Sequence, residues 1–292
     1  MTNPFVLGVV GDSGSGKNTL ADAVEALLGP ARVADVRLDD YHRFTREERA
    51  ARSLTALNPM VHNTPLMGEH LRLLREGRPI RNRSYDHADG TFGPIRIIEP
   101  REIILVRGLL GYPDDELRAL YHLAVFLHPD PDLLFRWKLR RDVLSRGYTE
   151  AEVLKRIASH LLDSKEYVLP QADRADVVVR HEISDYDEPD SAIRTSLILR
   201  REVADLARTG EVLDAVGGVA CEDRGEEVVV RLATDITSAD VARWGESAFP
   251  ETFAAALAGA YVDDQGAAAE RPQLAFVEIF VARVAQLLRA AS

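Results

Sequence analysis

Phe5-Val6-Leu7-Gly8-Val9-Val10, followed at once by Gly11-Asp12-Ser13-Gly14-Ser15-Gly16-Lys17-Asn18-Thr19, decides the architecture of this chain. The first stretch is a short unbroken apolar run, the pattern of a strand buried on both faces of a parallel sheet. The glycines that follow let the backbone curl until successive N–H groups converge on phosphate oxygens, and Lys17 adds a positive charge for the outer phosphates. Leu20, Val24, Leu27 and Leu28 then recur as one face of a helix, which Gly29-Pro30 ends. Strand, glycine-rich loop and helix form the setting a phosphate loop requires, and the helix N-terminus contributes its dipole to the anion site. The pattern Gly-x-x-x-x-Gly-Lys-[Ser/Thr] holds from Gly11 to Lys17 and departs at Asn18, where a hydroxyl ordinarily holds Mg²⁺.

Outward from this segment, strand-like and helix-like patterns alternate through residues 1–180, with candidate strands at 5–10, 32–38, 102–107, 123–127 and 175–180. Such alternation predicts an α/β fold, a mainly parallel sheet with helices on both faces. Leu66, Leu71 and Leu74 mark a helix after Pro65 that Gly77 stops, and Thr149 with Glu152 forms a capping box opening another that runs to about Leu162. Ser184–Asp190 reads as an acidic connector. Beyond it lie mixed patches over 191–214, a strand at 228–233, a surface loop at 259–271 and an amphipathic helix over Gln273–Arg289. Residues 181–292 hold no second phosphate loop and no dense titratable cluster. They read as a C-terminal α+β extension packed on the 1–180 core, one that extends the sheet and supports a homodimer through an exposed strand edge.

Composition narrows the function classes. The chain has 292 residues, 46% hydrophobic and 28% charged, as ordinary globular proteins do. A net charge of −11 argues against broad contact with nucleic acid or an anionic membrane, so an anionic substrate must meet a local basic cluster. Cys221 is the only cysteine, which excludes an internal disulfide. The early strand leaves no room for a leader and no apolar run reaches membrane-spanning length, so the expected location is the cytoplasm.

Two segments carry candidate chemistry. Leu38-Asp39-Asp40-Tyr41-His42 falls at the C-terminal end of the second strand, on the sheet edge where ligands of open α/β folds gather. A carboxylate there can accept the proton of a substrate hydroxyl during phosphoryl transfer. Arg43, Arg46, Arg49 and Arg52 follow at three-residue spacing, with Arg46 and Arg49 able to share a helix face and grip a phosphate. Glu47 and Glu48 interrupt the set, and a solvated charged face is the alternative reading. A second basic set, Lys138, Arg140, Arg141 and Arg146 with Asp142 among them, follows a Pro-Asp-Pro turn, the place where a lid closes over phosphates in small-molecule kinases.

The chain resembles the phosphoribulokinases, the plant and cyanobacterial branch most closely, within the phosphoribulokinase/uridine kinase group. The resemblance rests on Gly11–Thr19, Leu38–His42, Thr55-Ala56-Leu57-Asn58-Pro59 and Tyr85-Asp86-His87 with Gly90. It continues through Trp137-Lys138-x-x-Arg141-Asp142-x-x-x-Arg146-Gly147-Tyr148 and Tyr167-x-x-Pro170-Gln171 with Asp173 and Asp176, all in family order. It implies a P-loop kinase fold and ATP-dependent phosphorylation of ribulose 5-phosphate at O1, with Mg²⁺ delivered with ATP. It assigns the nucleotide to Gly11, Asp12, Ser13, Gly14, Ser15, Gly16, Lys17, Asn18 and Thr19. By position it makes Asp39 the catalytic base, with Lys138, Arg141 and Asp142 in catalysis. The sugar phosphate falls to His42 and Arg46 with Arg49, Tyr85, His87 and Arg146. Two departures meet at the metal corner: Asn18 in the loop, and Arg107 in Val106-Arg107-Gly108-Leu109-Leu110-Gly111, where the family carries a Glu and then a His. A guanidinium there should repel a divalent cation. A working kinase and a weak or inactive relative that binds nucleotide or sugar phosphate are both consistent with this pattern.

Overall fold

The computed structural model describes residues 3–144, 147–183, 193–206, 216–256 and 271–291. The apolar run forms β1 (Phe5–Gly11), every residue of which is buried. Period-two alternation splits its side chains between two cores. Phe5, Leu7 and Val9 join one cluster, and Val6 and Val10 the other. Parallel neighbours lie on both sides: β5 (Ile103–Gly108), with Val9 level with Arg107, and β6 (Leu123–Pro129), with Gly11 level with Leu127. β2 (Val33–Arg37) completes the sheet beyond β5, and β7 (Val177–Ile183) continues it beyond β6.

Past β7 the sheet turns antiparallel through β8 (Ile193–Arg200), β10 (Glu227–Leu232) and β9 (Val219–Asp223), giving the order β2-β5-β1-β6-β7-β8-β10-β9. The C-terminal residues thus extend the sheet of the first part. The helices are α1 (Lys17–Leu28), α2 (Arg46–Ala51), α3 (Thr64–Arg75), α4 (Asp115–Arg118), α5 (Pro131–Leu144), α6 (Glu150–Asp163), α7 (Arg201–Leu206), α8 (Ser238–Ala248), α9 (Phe253–Ala256) and α10 (Pro272–Ala291). α1, α8 and α10 cover one face of the sheet and α3 the other. Buried residues recur around most of α10, from Gln273 to Ala285, because it sits between α1 and α8 and leaves no broad polar face.

The expected strands and helices appear within a few residues of their sequence bounds, and the Thr149 capping box opens α6. Sequence patterning missed the hairpin of β3 (Ile80–Tyr85) and β4 (Phe92–Ile98), which forms its own two-stranded sheet. Its charged β3 and largely exposed β4 lack the apolar run of a buried strand. The acidic connector and nearly all of the 259–271 loop lie outside the described residues. No helix among the described residues is long and apolar enough to cross a membrane.

Candidate functional site

The parallel strands deliver their C-terminal ends to one edge, where a cleft of about 1840 Å³ opens along the phosphate loop. At Gly14 the backbone takes φ +92°, and an added Cβ would stand 3.1 Å from Cβ of Lys138 on α5, so this position needs glycine twice over. Gly16, at φ 90°, ends the loop and leaves the α1 N–H groups without a side-chain cap. These are open donors for an anion. Lys17 Nζ donates to the Asp12 carbonyl at 2.6 Å. Burial pushes its pKa down to about 8, against the attraction of Asp12 and Asp39. Asp12 itself is buried. Its carboxylate accepts from Ser13 N and from Ser164 Oγ, so it struts the loop against the turn after α6.

The basic set on α5 converges on this loop. Arg141 Nη2 donates to Ser13 Oγ at 3.3 Å, and Lys138 Nζ lies 3.4 Å from His160 Nδ1 on α6. Burial, reinforced by the Lys138 charge, lowers the His160 pKa to about 4, so at neutral pH its Nδ1 accepts from the ammonium. Asp142 departs from its expected catalytic place. It is buried at 2% exposure, bonded to Arg141 Nε at 2.8 Å, and does not line the cleft. Arg146 lies outside the described residues.

On the other side of the loop, the turn after β2 (Leu38–Tyr41) carries Asp39 into the cleft. Asp39 Oδ2 pairs with His87 Nε2 at 3.1 Å. Burial raises the carboxyl pKa. The His87 hydrogen bond and the positive potential of His42, His87 and His62 when protonated outweigh it and hold Asp39 below the ordinary carboxylate range. Asp40 Oδ1 accepts from Tyr85 N at 2.7 Å.

His42 packs between His62 and Tyr85, with ring centroids at 4.9 and 4.6 Å. Burial lowers its pKa to about 3 despite the Asp39 charge, so it is neutral. Both of its ring nitrogens are buried and neither has a hydrogen-bond partner. Arg49 is buried too. Nη2 donates to Tyr85 Oη at 3.0 Å, while Nη1 has no partner. Arg46 is spent differently: its guanidinium donates to the carbonyls of His87 and Ala88 and closes the hairpin loop over the cleft. His62, whose Nε2 bonds the Ala56 carbonyl at 2.8 Å, and His160 went unnoticed in the sequence, where a lone His carries no pattern.

The Asn18–Arg107 corner corrects an expectation. Arg107, 7% exposed, forks Nε and Nη2 onto Asp35 of β2 at 2.9 and 2.8 Å and gives Nη1 to Asp22, one turn past Asn18 on α1. Two carboxylates flank one guanidinium, so the corner carries no excess positive charge to repel a cation. Arg107 is a brace between α1, β2 and β5. Among the described residues no group of three or more His, Cys, Asp or Glu is gathered as a metal site. Asn18 offers only an amide oxygen, so the residues present do not build a protein-held Mg²⁺ site.

Sheet order, phosphate loop and the basic helix that meets it define a nucleotide-binding α/β protein with the P-loop kinase fold. The chain belongs to the phosphoribulokinase / uridine kinase family, whose model matches residues 6–185. It is 34% identical over 175 residues to a phosphoribulokinase of Synechocystis sp., covering 60% of this chain and 53% of that one. To a chloroplastic phosphoribulokinase of Triticum aestivum it is 27% identical over 220 residues, covering 68% and 54%. To a uridine kinase of Chloroflexus aggregans it is 33% identical over 182 residues, covering 60% and 86%. The chain spans about half the length of the curated phosphoribulokinases it matches. A solved phosphoribulokinase from Rhodobacter spheroides shares the fold, with a TM-score of 0.64 at 16% identity over 88% of this chain and 99% of that one.

Proposed function

We propose that this chain is an ATP-dependent kinase that phosphorylates a pentulose phosphate, ribulose 5-phosphate to ribulose 1,5-bisphosphate. One observation carries the reading. Beside Asp39, the bare ring nitrogens of His42 and the bare Nη1 of Arg49 are buried polar groups in the cleft wall with no partner in the protein. Such groups are costly unless a ligand satisfies them. A guanidinium donor suits a phosphate, and a neutral imidazole suits a sugar hydroxyl.

In this reading the sugar phosphate is held by His42 and Arg49, with Tyr85 and His87 around it and Arg46 keeping the hairpin loop closed. Asp39, ionised at neutral pH, takes the proton of the acceptor hydroxyl. The freed oxygen forms the new bond to the γ-phosphorus as the bond to the ADP oxygen breaks. Lys17, Lys138 and Arg141 meet the charge on the transferring group, with Arg141 oriented by Asp142. Mg²⁺ delivered with the nucleotide would supply further neutralisation of phosphate charge, and Asn18 is the loop residue that would face it. A homodimer in the cytoplasm remains part of the proposal.

The test is ADP release from ATP with a panel of pentulose and pentose phosphates beside uridine and cytidine. Turnover with ribulose 5-phosphate above the rest supports the reading, and a nucleoside preference overturns it. The second reading, a weak or inactive relative that binds nucleotide or sugar phosphate, draws on Asn18 and on the closed Arg107 brace. Binding without turnover on the same panel selects it.

A further inference from the structure

At the Asp39 end of the cleft the turn after β2 meets the loop between β3 and β4, where Asp39 and His87 pair across 48 residues of sequence. We propose that His87 is a positioning residue for the transfer step: its Nε2–H fixes one oxygen of the Asp39 carboxylate so that the other faces the acceptor hydroxyl. This role rests on the reading of Asp39 as the base, and it places His87 on the base instead of on the sugar phosphate.

His87 Nε2 stands 3.1 Å from Oδ2 of Asp39, and Oδ1 has no hydrogen-bond partner among the described residues. An ionised carboxylate only accepts, so Nε2 carries the hydrogen, and the tautomer of the neutral ring is set by the pair. The loop that delivers the ring is itself clamped. Arg46 donates from its guanidinium to the carbonyls of His87 and Ala88, and its backbone N–H donates to the Gly90 carbonyl at 2.8 Å. Gly90 takes φ +80°, and an added Cβ would overlap Cβ of Arg46, so the loop closes on the first turn of α2 only with glycine there. The His87 ring then meets Tyr85 edge to face at 5.2 Å. Arg46, the loop, the imidazole and the carboxylate make one path from α2 to the base.

The pair does little for the fold. The Asp39 side chain is 31% exposed and that of His87 52%, so water screens their attraction. Its effect falls on the reaction. Burial raises the Asp39 carboxyl, and the His87 hydrogen bond leads the influences that carry it below the ordinary carboxylate range. Removing His87 therefore makes the carboxylate more basic and less ordered at once, and the two changes push the rate in opposite directions. Basicity acts on the rate only through a Brønsted relation, whereas the base must lie within hydrogen-bond reach of the proton it takes. A misplacement of about 1 Å can cost on the order of 10²-fold, so placement wins. A ligand of the sugar phosphate would instead act mainly on substrate binding, which separates the two roles in KM and kcat.

Steady-state kinetics with ribulose 5-phosphate test the role. His87→Ala should lower kcat by about 10–100-fold and move KM by less than about threefold. His87→Gln keeps an N–H donor near the Nε2 position and should return kcat to within about threefold of wild type. In an Asp39→Asn background, His87→Ala should cost less than about twofold more, because the group it positions is gone. The denaturation midpoint of His87→Ala should stay at the wild-type value, as the exposure of the ring requires. A raised KM with kcat unchanged makes His87 a sugar-phosphate ligand and overturns the proposal. Full additivity with Asp39→Asn overturns it too, as does a His87→Gln variant no faster than His87→Ala. If the wild type turns over no sugar phosphate, the kinase reading fails, and if Asp39→Asn keeps full turnover, the base assignment fails. In either case the positioning role falls with the reading beneath it.

Discussion

The Asp39 end of the cleft and the Arg107 corner each bury a cationic or imidazole side chain at the same sheet edge, yet they treat it in opposite ways. At the Asp39 end His42 and Arg49 keep polar atoms bare. At the corner the Arg107 guanidinium is met by Asp35 and Asp22. Bare buried donors stay expensive until a ligand arrives, whereas paired ones are complete in the protein alone. The contrast separates side chains left open to a ligand from side chains that brace the fold.

The largest effect should come from the Asp39 end. Asp39→Asn keeps the shape and the His87 contact but removes the proton acceptor. It should lower kcat by about 10²–10⁴-fold with ATP affinity unchanged by calorimetry. Wild-type turnover in that variant would move the base elsewhere, and the buried, Arg141-bonded Asp142 would be poorly placed to replace it.

Breaking the brace should be felt in stability first. Arg107→Ala leaves the Asp35 carboxylate facing an emptied site, at a cost of about 3 kcal/mol. That is the low end for breaking a buried pair, because Asp22 is 65% exposed and water screens its share. Arg107→Glu, the family residue, should be worse, since it sets a third carboxylate beside Asp22 and Asp35. Chemical denaturation checks both. A variant as stable as wild type would show that the pairs contribute nothing to stability.

The β1–loop–α1 unit was legible in the sequence because the phosphate loop imposes a fixed spacing and its flanks carry clear periods. Asp39 was legible because a strand end in an α/β sheet is a ligand edge. The Arg107 brace was not. Asp22 and Asp35 lie 85 and 72 residues from it, and nothing local marks an Asp on a helix as the partner of an Arg on a strand. The β3–β4 hairpin stayed hidden because β4 leaves Ile95 and Ile97 exposed, and such a strand has no inside–outside contrast to read. Asp176 and Gln171 matched the family pattern, yet the structure uses them as brackets, Asp176 on Ala124 N at 2.7 Å and Gln171 on Tyr112 N at 3.0 Å.

The buried histidines sharpen the contrast through pH. His42, His160 and His181 have folded-state pKa values lowered to about 3, 4 and 4 by burial. Below their unfolded value, near 6.5, the unfolded chain binds protons that the folded chain refuses, so their stability contribution is whole above about pH 6.5 and drains as pH falls toward 4. The denaturation midpoint should therefore fall steadily from pH 7 to 4. His181→Gln, which cannot be protonated, should flatten that slope. An identical slope in the variant would remove His181 from the account.

The smallest effect should come from Asn18. It is exposed on the first turn of α1, at the position where a hydroxyl would reach a nucleotide-bound ion. Its amide oxygen is a neutral ligand on a longer side chain, and Mg²⁺ tolerates little departure from octahedral geometry. Asn18→Ser should therefore raise ATP affinity in the presence of Mg²⁺ by about two- to fivefold, under 1 kcal/mol, and leave affinity in EDTA unchanged. The Arg107 brace would stand untouched, so this change isolates the metal side of the corner from its structural side. A gain that persists in EDTA would mean the hydroxyl acts on a phosphate oxygen instead of the ion. No gain in either condition would mean that the ion meets phosphates and water alone at this site.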